Sequence, residues 1–209
     1  MKKLVLISAL SLATAISTNA QSFDKNKKVI DAGIRIAVFD IEGKAPSDSV
    51  AHKDKAASSI IPLQFEYGVG KRIGVQAEFN VVTYFTSKDT IKNSVATANG
   101  FDFSIKGNFH WLRAKRVDLF SGIGIGYSSF KYHDNSSDDA KYKGSGSTWQ
   151  FNLITARFYL SEHVALGVNY TFLGYSYPNG RITSNTGVDT AYKIKLNGQA
   201  GGFAFSYKW

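Results

Sequence analysis

Ser104 and His110 share a parity along one alternating stretch, and a serine beside a histidine is the minimal pair for attacking a lipid ester. Six residues of extended chain separate them by about 20 Å, so no direct hydrogen bond is expected. Glu66 and Glu78 have the chemistry of a general acid and base, but nothing in the sequence places a substrate between them. His52, His110, His133 and His163 are dispersed, with no pair at metal-ligand spacing and no cysteine to help. The run Asp134-Asn135-Ser136-Ser137-Asp138-Asp139 offers oxygens to calcium but lacks the glycine-containing spacing of a calcium loop, and reads as a solvated surface loop. Gly122-Ile123-Gly124-Ile125-Gly126 has glycines at every second position, which suits a strand and not a phosphate-binding turn. No catalytic, cofactor or metal site is expected from these residues, and the chain is not expected to be an enzyme.

The remaining chemistry is charge that must be held in place. Period-two alternation runs through most of the chain. Ile30 to Val38 has its apolar residues at even positions, with Asp31, Gly33 and Arg35 between them. Ile61 to Val69 and Ile73 to Val81 alternate around a tight turn at Gly70-Lys71-Arg72. Phe101 to Trp111 and Val117 to Tyr127 form the next pair, joined at 113–116. A third hairpin spans 148–160 and 164–172, and a last strand runs from about Ala191 to Trp209. In 148–160 and 191–209 the apolar parity changes partway, which a β-bulge would explain; Asn197-Gly198 or Gly201-Gly202 are the places for one in the last strand.

If the apolar face is one wall, Arg35, Glu66, Glu78, Lys106 and Arg157 project to the other side. Charges in a narrow interior must pair, because an unpaired buried charge is costly. The expectation is an ion-pair network that plugs a lumen, with a gated narrow pore as the alternative. Glycines 33, 68, 74, 122, 124 and 126 leave room for the long side chains.

The start of the chain says where that lumen is built. Met1-Lys2-Lys3 precedes an apolar stretch from Leu4 to Ile16 and a small-residue site, Thr18-Asn19-Ala20. That is a secretory signal peptide, too short to anchor in a bilayer, with cleavage expected between Ala20 and Gln21. Residues 1–20 are read as signal peptide, 21–28 as an N-terminal tail and 29–209 as one β-domain. The absence of cysteine excludes disulfides and a lipid-modified N-terminal cysteine. The formal charge is +9, two less without Lys2 and Lys3. The bases are scattered and form no patch legible in the sequence, so they are read as solvated strand ends attracted to anionic lipid; nucleic acid is not the expected partner.

Three connections are short, near 70–72, 113–116 and 161–163, and four are long and polar, at about 40–58, 86–99, 131–147 and 178–190. Short turns at one end and long loops at the other describe an all-β, eight-stranded antiparallel up-and-down barrel. Aromatics gather at both ends. Phe65, Tyr67, Phe109, Trp111, Phe158, Tyr159, Tyr207 and Trp209 lie near the short turns. Phe39, Tyr84, Phe85, Phe101, Tyr127, Phe130, Tyr132, Trp149, Phe172, Tyr175 and Tyr192 lie near the long loops. Two girdles are what a transmembrane barrel needs and a soluble barrel of the lipocalin type does not.

The signal peptide, the alternating hairpins and the terminal Phe203, Phe205, Tyr207 and Trp209 resemble the small outer-membrane barrel superfamily of OmpA, OmpX and OmpW types. The Asn19-Ala20-Gln21 junction is similar to exported proteins of Bacteroidetes. The resemblance implies residence in the cell outer membrane. It also implies that the C-terminal aromatic strand is read by the barrel-assembly machinery, with Trp209 where phenylalanine is usual. Outer-membrane lipid and lipopolysaccharide would surround such a barrel, and an extracellular ligand would meet its loops. The leading expectation is a non-enzymatic surface-interaction or envelope barrel. A narrow channel for small solutes or hydrophobic ligands comes second, and a lipid-modifying enzyme is less expected.

Overall fold

The computed structural model describes residues 22–45, 50–87, 95–133, 141–183 and 189–209. Every regular element among them is a strand: β1 (Lys28–Lys44), β2 (His52–Gly68), β3 (Ile73–Ser87), β4 (Val95–Arg113), β5 (Val117–His133), β6 (Lys141–Tyr159), β7 (Val164–Thr183) and β8 (Asp189–Lys208). Each pairs antiparallel with its sequence neighbours, and β8 pairs with β1 to close the barrel. Closure removes both sheet edges, so the ladder groups pair within the sheet apart from local register shifts, the condition for a sheet in hydrocarbon.

Alternation sets the two faces. Ile34, Ile61, Phe79, Phe103, Ile125, Leu166 and Phe203 stand exposed on the outer wall, while Arg35, Gln64, Glu78, Ser104, Gly124 and Ser206 face inward. An apolar outside around a polar inside is the inverse of a water-soluble barrel.

The strands run further than the apolar pattern does. β1 reaches Lys44, β2 starts at His52, β5 runs to His133 and β7 to Thr183. Most of the polar stretches read from sequence as long loops are therefore strand. The physical reason is that a ladder standing above the bilayer has water on its outer face. It needs no apolar residues there, and the period-two signal fades while the backbone pairing continues.

The parity change in 148–160 is a bulge. Register shifts between Asn152 and Ile154 of β6, so Leu153 and Ile154 both face outward and Arg157 recovers the inward direction. The bulge expected in the last strand is absent. β8 pairs with β1 without a shift from Lys208 to Lys193, and through Asn197-Gly198 and Gly201-Gly202. Its even positions point inward throughout, so Leu196 is buried and Tyr192 and Ile194 are half-buried inside the barrel. The parity changes there because the lumen itself changes character: its loop-side half is apolar. Phe39, Tyr84, Tyr175, Leu173 and Leu196 pack into one buried cluster, with Phe130 against it. Part of the aromatic set assigned to the outer girdle thus fills the barrel instead. Tyr159 at the other end is likewise buried inside.

Candidate functional site

The inward positions of β1 to β4 bring one carboxylate to the centre of the lumen. Glu78 on β3 receives Nη1 and Nη2 of Arg35 at 3.0 and 2.9 Å, Nζ of Lys106 at 2.6 Å and Nδ2 of Asn80 at 2.9 Å. Gln64, directly opposite on β2, donates its amide to the same carboxylate. All five side chains are buried. Two cations with their charge-assisted hydrogen bonds compensate the desolvation of one carboxylate, the arrangement that a low-dielectric interior demands.

A second network lies toward the short turns. Arg157 on β6 donates from Nη2 to Asp31 at 2.6 Å and from Nε to the same carboxylate at 3.2 Å. Its Nη1 lies 2.7 Å from Glu66 and 3.4 Å from Asp118. His110 bridges the same two carboxylates, Nδ1 at 2.7 Å from Asp118 and Nε2 at 3.0 Å from Glu66. Both ring nitrogens face carboxylate oxygens, so both contacts are hydrogen bonds only when the ring is an imidazolium. Asn108 donates to Glu66 at 2.6 Å, and the Arg157 guanidinium lies 4.4 Å from the Phe120 ring centre. Arg157 occupies the place between three carboxylates where a cation would sit, so these ligand-type residues already hold a side-chain cation among them, with His110 beside it.

The mouth at the short-turn end is closed by the segment before β1. The Phe23 ring stacks on His110 with centroids 3.5 Å apart and planes within 4°, fully buried. Arg113 donates to the Phe23 carbonyl at 3.2 Å, and Lys208 donates to the Ser22 carbonyl at 3.0 Å while its ammonium sits over Tyr159. Replacing Phe23 with alanine is expected to cost about 3 kcal/mol, the usual loss for a buried aromatic. It should also open His110 to the periplasmic side. Unfolding in urea reads the first, and the rate of His110 modification by diethylpyrocarbonate reads the second; an unchanged rate would show that the mouth is sealed by other groups.

Above the two networks Asp102 accepts from Ser128 at 2.6 Å and from Tyr175 at 2.9 Å, and Ser128 in turn meets the Tyr177 hydroxyl at 2.7 Å. This hydroxyl layer joins the charged half of the lumen to the aromatic half.

Arg35, Glu66, Glu78, Lys106 and Arg157 all lie in the lumen, sorted into two groups: Arg35 and Lys106 on Glu78, and Arg157 on Glu66. Sequence reasoning did not assign Asp31, His110 and Asp118 to the charge network. Their signal was available, since each sits on the inward parity of its strand. Phe23 carried none, because it precedes the alternating region. Ser104 accepts from Gln150, and His110 is engaged elsewhere, so the two do not meet. His163 contacts the Lys208 carbonyl at the turn, and His52 is exposed at a strand end. Phe203, Phe205 and Tyr207 face outward on β8, beside the seam with β1, and Trp209 directly after the strand is exposed as well. Ala20, Gln21 and the acidic run 134–139 lie outside the described residues.

A closed antiparallel barrel with a lipid-facing apolar wall and a charged interior defines a transmembrane barrel of the outer membrane. The chain belongs to the Outer membrane protein beta-barrel domain family, whose model matches residues 6–208. No curated protein sequence matches it. Among solved structures it is similar to the outer membrane protein OprG from Pseudomonas aeruginosa. That similarity has a TM-score of 0.68 and 13% identity, over 91% of this chain and 99% of that one. It is also similar to the outer membrane protein AlkL as solved in lipid bilayers, with a TM-score of 0.57 and 15% identity, over 92% and 94% of the two chains. At such identities the likeness concerns the fold. The protein resides in the outer membrane as an eight-stranded barrel.

Proposed function

We propose that this protein is a non-enzymatic, plugged barrel that anchors surface-exposed loops and strand ends in the outer membrane for contact with partners outside the cell. The observation that carries this reading is the filled lumen. Phe23 closes one mouth, two ion networks occupy the next layers, and the aromatic cluster packs the loop-side half. Eight strands leave room for side chains and little else. Against enzymatic function stands the engagement of the inward acids and bases Asp31, Glu66, Glu78, Asp102, Lys106, His110, Asp118 and Arg157 with structural partners. On this reading the strand ends projecting above the apolar belt carry the interaction surface, and the segments that join them lie largely outside the described residues.

The partners on this reading are outer-membrane lipid and lipopolysaccharide around the wall, the barrel-assembly machinery at Phe203, Phe205, Tyr207 and Trp209, and an extracellular ligand on the loops. A specific observation favours a second reading, passage of a small apolar ligand: the loop-side half of the lumen is apolar, with Phe39, Tyr84 and Leu196 where a polar pore would have charges.

Planar-bilayer conductance of the refolded mature protein, first checked for a heat-dependent shift in gel mobility, separates the two. The plugged scaffold is expected to give a heat-modifiable barrel with no steady current steps, unchanged by Glu66→Gln or Lys106→Met. Reproducible steps altered by either substitution would overturn it in favour of a channel.

A further inference from the structure

The outer wall carries a feature that the lumen does not explain. Reading across the ladder at one level, the outward residues are Phe85, Ala57, Val38, Gln199, Phe172 and Phe151, each directly opposite the next. One level toward the loops they are Lys55, Asp40, Asn197, Gly174 and Trp149. The centre of this band carries Ala57, Val38 and Gly174 with the polar Gln199, Asn197 and Asp40, and its flanks are aromatic. The indole of Trp149 lies over Gly174, and Phe85 stands opposite Ala57. The result is a trough of about 880 Å³ in the outer surface across β2, β1, β8 and β7.

A second depression of about 370 Å³ lies below it on the same strands, where Gly201 leaves a gap among Ile34, Ile36, Val168 and Phe203. From Asn197 to Phe203 the two span six residues of β8, roughly 20 Å along the strand. That is comparable to the hydrocarbon depth of one leaflet, about 15 Å, once strand tilt is allowed for.

Immediately on the loop side the wall turns basic. Lys53 and Lys195 flank Glu42 on either side, Lys55 is opposite Asp40, and Lys193 is opposite Lys44. These five lysines are exposed and outnumber the two carboxylates on their face, Asp40 and Glu42, while Asp54 between Lys53 and Lys55 lies on the opposite parity of β2. Lys53 approaches Glu42 only to 3.8 Å, with its side chain mostly in solvent. A basic band over a trough that has aromatic flanks, is polar at its loop-side end and turns apolar toward Gly201 is complementary to one kind of molecule, an acyl lipid bearing phosphate on its headgroup.

We propose that this trough is a binding site for a phosphorylated glycolipid of the outer leaflet, of the lipid A type. One acyl chain lies along the Gly201 track, and a phosphate is held by Lys53, Lys55 and Lys195. The site goes beyond general solvation by lipid, since it needs one face of the barrel, and it is independent of whether the lumen conducts.

The test uses the refolded mature protein in detergent micelles, with diphosphorylated lipid A as the probe and native mass spectrometry counting retained lipid. The triple variant Lys53→Gln, Lys55→Gln, Lys195→Gln is expected to lose affinity about tenfold or more. Gly201→Phe should reduce it as well. A side chain there starts in open space, its Cβ no closer than 3.8 Å to another atom, so it fills the track without disturbing the wall. Lys131→Gln with Lys143→Gln, a pair facing each other across β5 and β6, is expected to leave retention unchanged. Heat-shifted mobility certifies that each variant is folded. Equal losses in the triple variant and the β5–β6 control would overturn the site in favour of diffuse charge. Retention of dephosphorylated lipid A, or of phosphatidylglycerol, at the level of the probe would overturn the assignment of the occupant.

Discussion

Replacing Arg157 with methionine is expected to destabilise the barrel by about 3–5 kcal/mol, the usual loss when one partner of a buried ion pair is removed. The size follows from what is left behind. Asp31, Glu66 and Asp118 would remain buried around the vacated position, with His110 alone to neutralise them. Lys106→Met is expected to cost much less, because Glu78 keeps the two-pronged bond from Arg35 and the amides of Gln64 and Asn80. Urea unfolding of the two variants in lipid vesicles measures both. Equal and small losses would mean that water enters the lumen and screens the charges, and the plugged interior would then be the wrong picture.

Gly126→Val is expected to prevent the barrel from closing. A Cβ at Gly126 would sit on the Phe103 carbonyl oxygen and the Ser104 Cα, both backbone atoms of the neighbouring strand. Backbone in a closed ladder cannot step aside the way a side chain can, so β4 and β5 would have to part. Gly124 differs within the same run, since the neighbours of its added Cβ include the flexible side chains of Lys106 and Gln150 as well as backbone. Gly107→Ala meets nothing within 4 Å and serves as the tolerated control. The readout is the heat-shifted gel band after refolding, absent for Gly126→Val and present for Gly107→Ala. A normal shift for Gly126→Val would show that the β4–β5 pair can separate locally at little cost.

Several features of the fold are legible in the sequence alone. The number of strands, the short-turn end and the lipid-facing residues all follow from alternation, which is a local property of extended chain. The inward direction of Arg35, Glu66, Glu78 and Lys106 follows the same way. Arg157 required the bulge at Asn152–Ile154 to be placed correctly, and the sequence showed only that the parity changed somewhere in that strand. For β8 the same signal misled. Tyr192, Ile194 and Leu196 look like a slipped register, yet β8 runs against β1 without a shift, the irregularity opposite Ile194 and Tyr192 lies in β7, and the lumen beside them is apolar. A sequence pattern reports polarity contrast between faces, and it is silent where both faces are apolar or both are wet. The second case also hid the strand extensions above the membrane.

What the sequence by itself determined is an exported-looking chain, an eight-strand antiparallel order, and which side chains face lipid over most of the wall. Which inward charges meet was decided by the tertiary structure. Asp31 and Arg157 stand 126 positions apart in the chain and are joined only by the stagger of a closed barrel. The plug by Phe23, the aromatic half of the lumen and the basic-rimmed trough over Gly201 were decided the same way. Each depends on how far neighbouring strands are displaced around the circle, a quantity set by closure and the packing of the whole lumen and carried by no single strand.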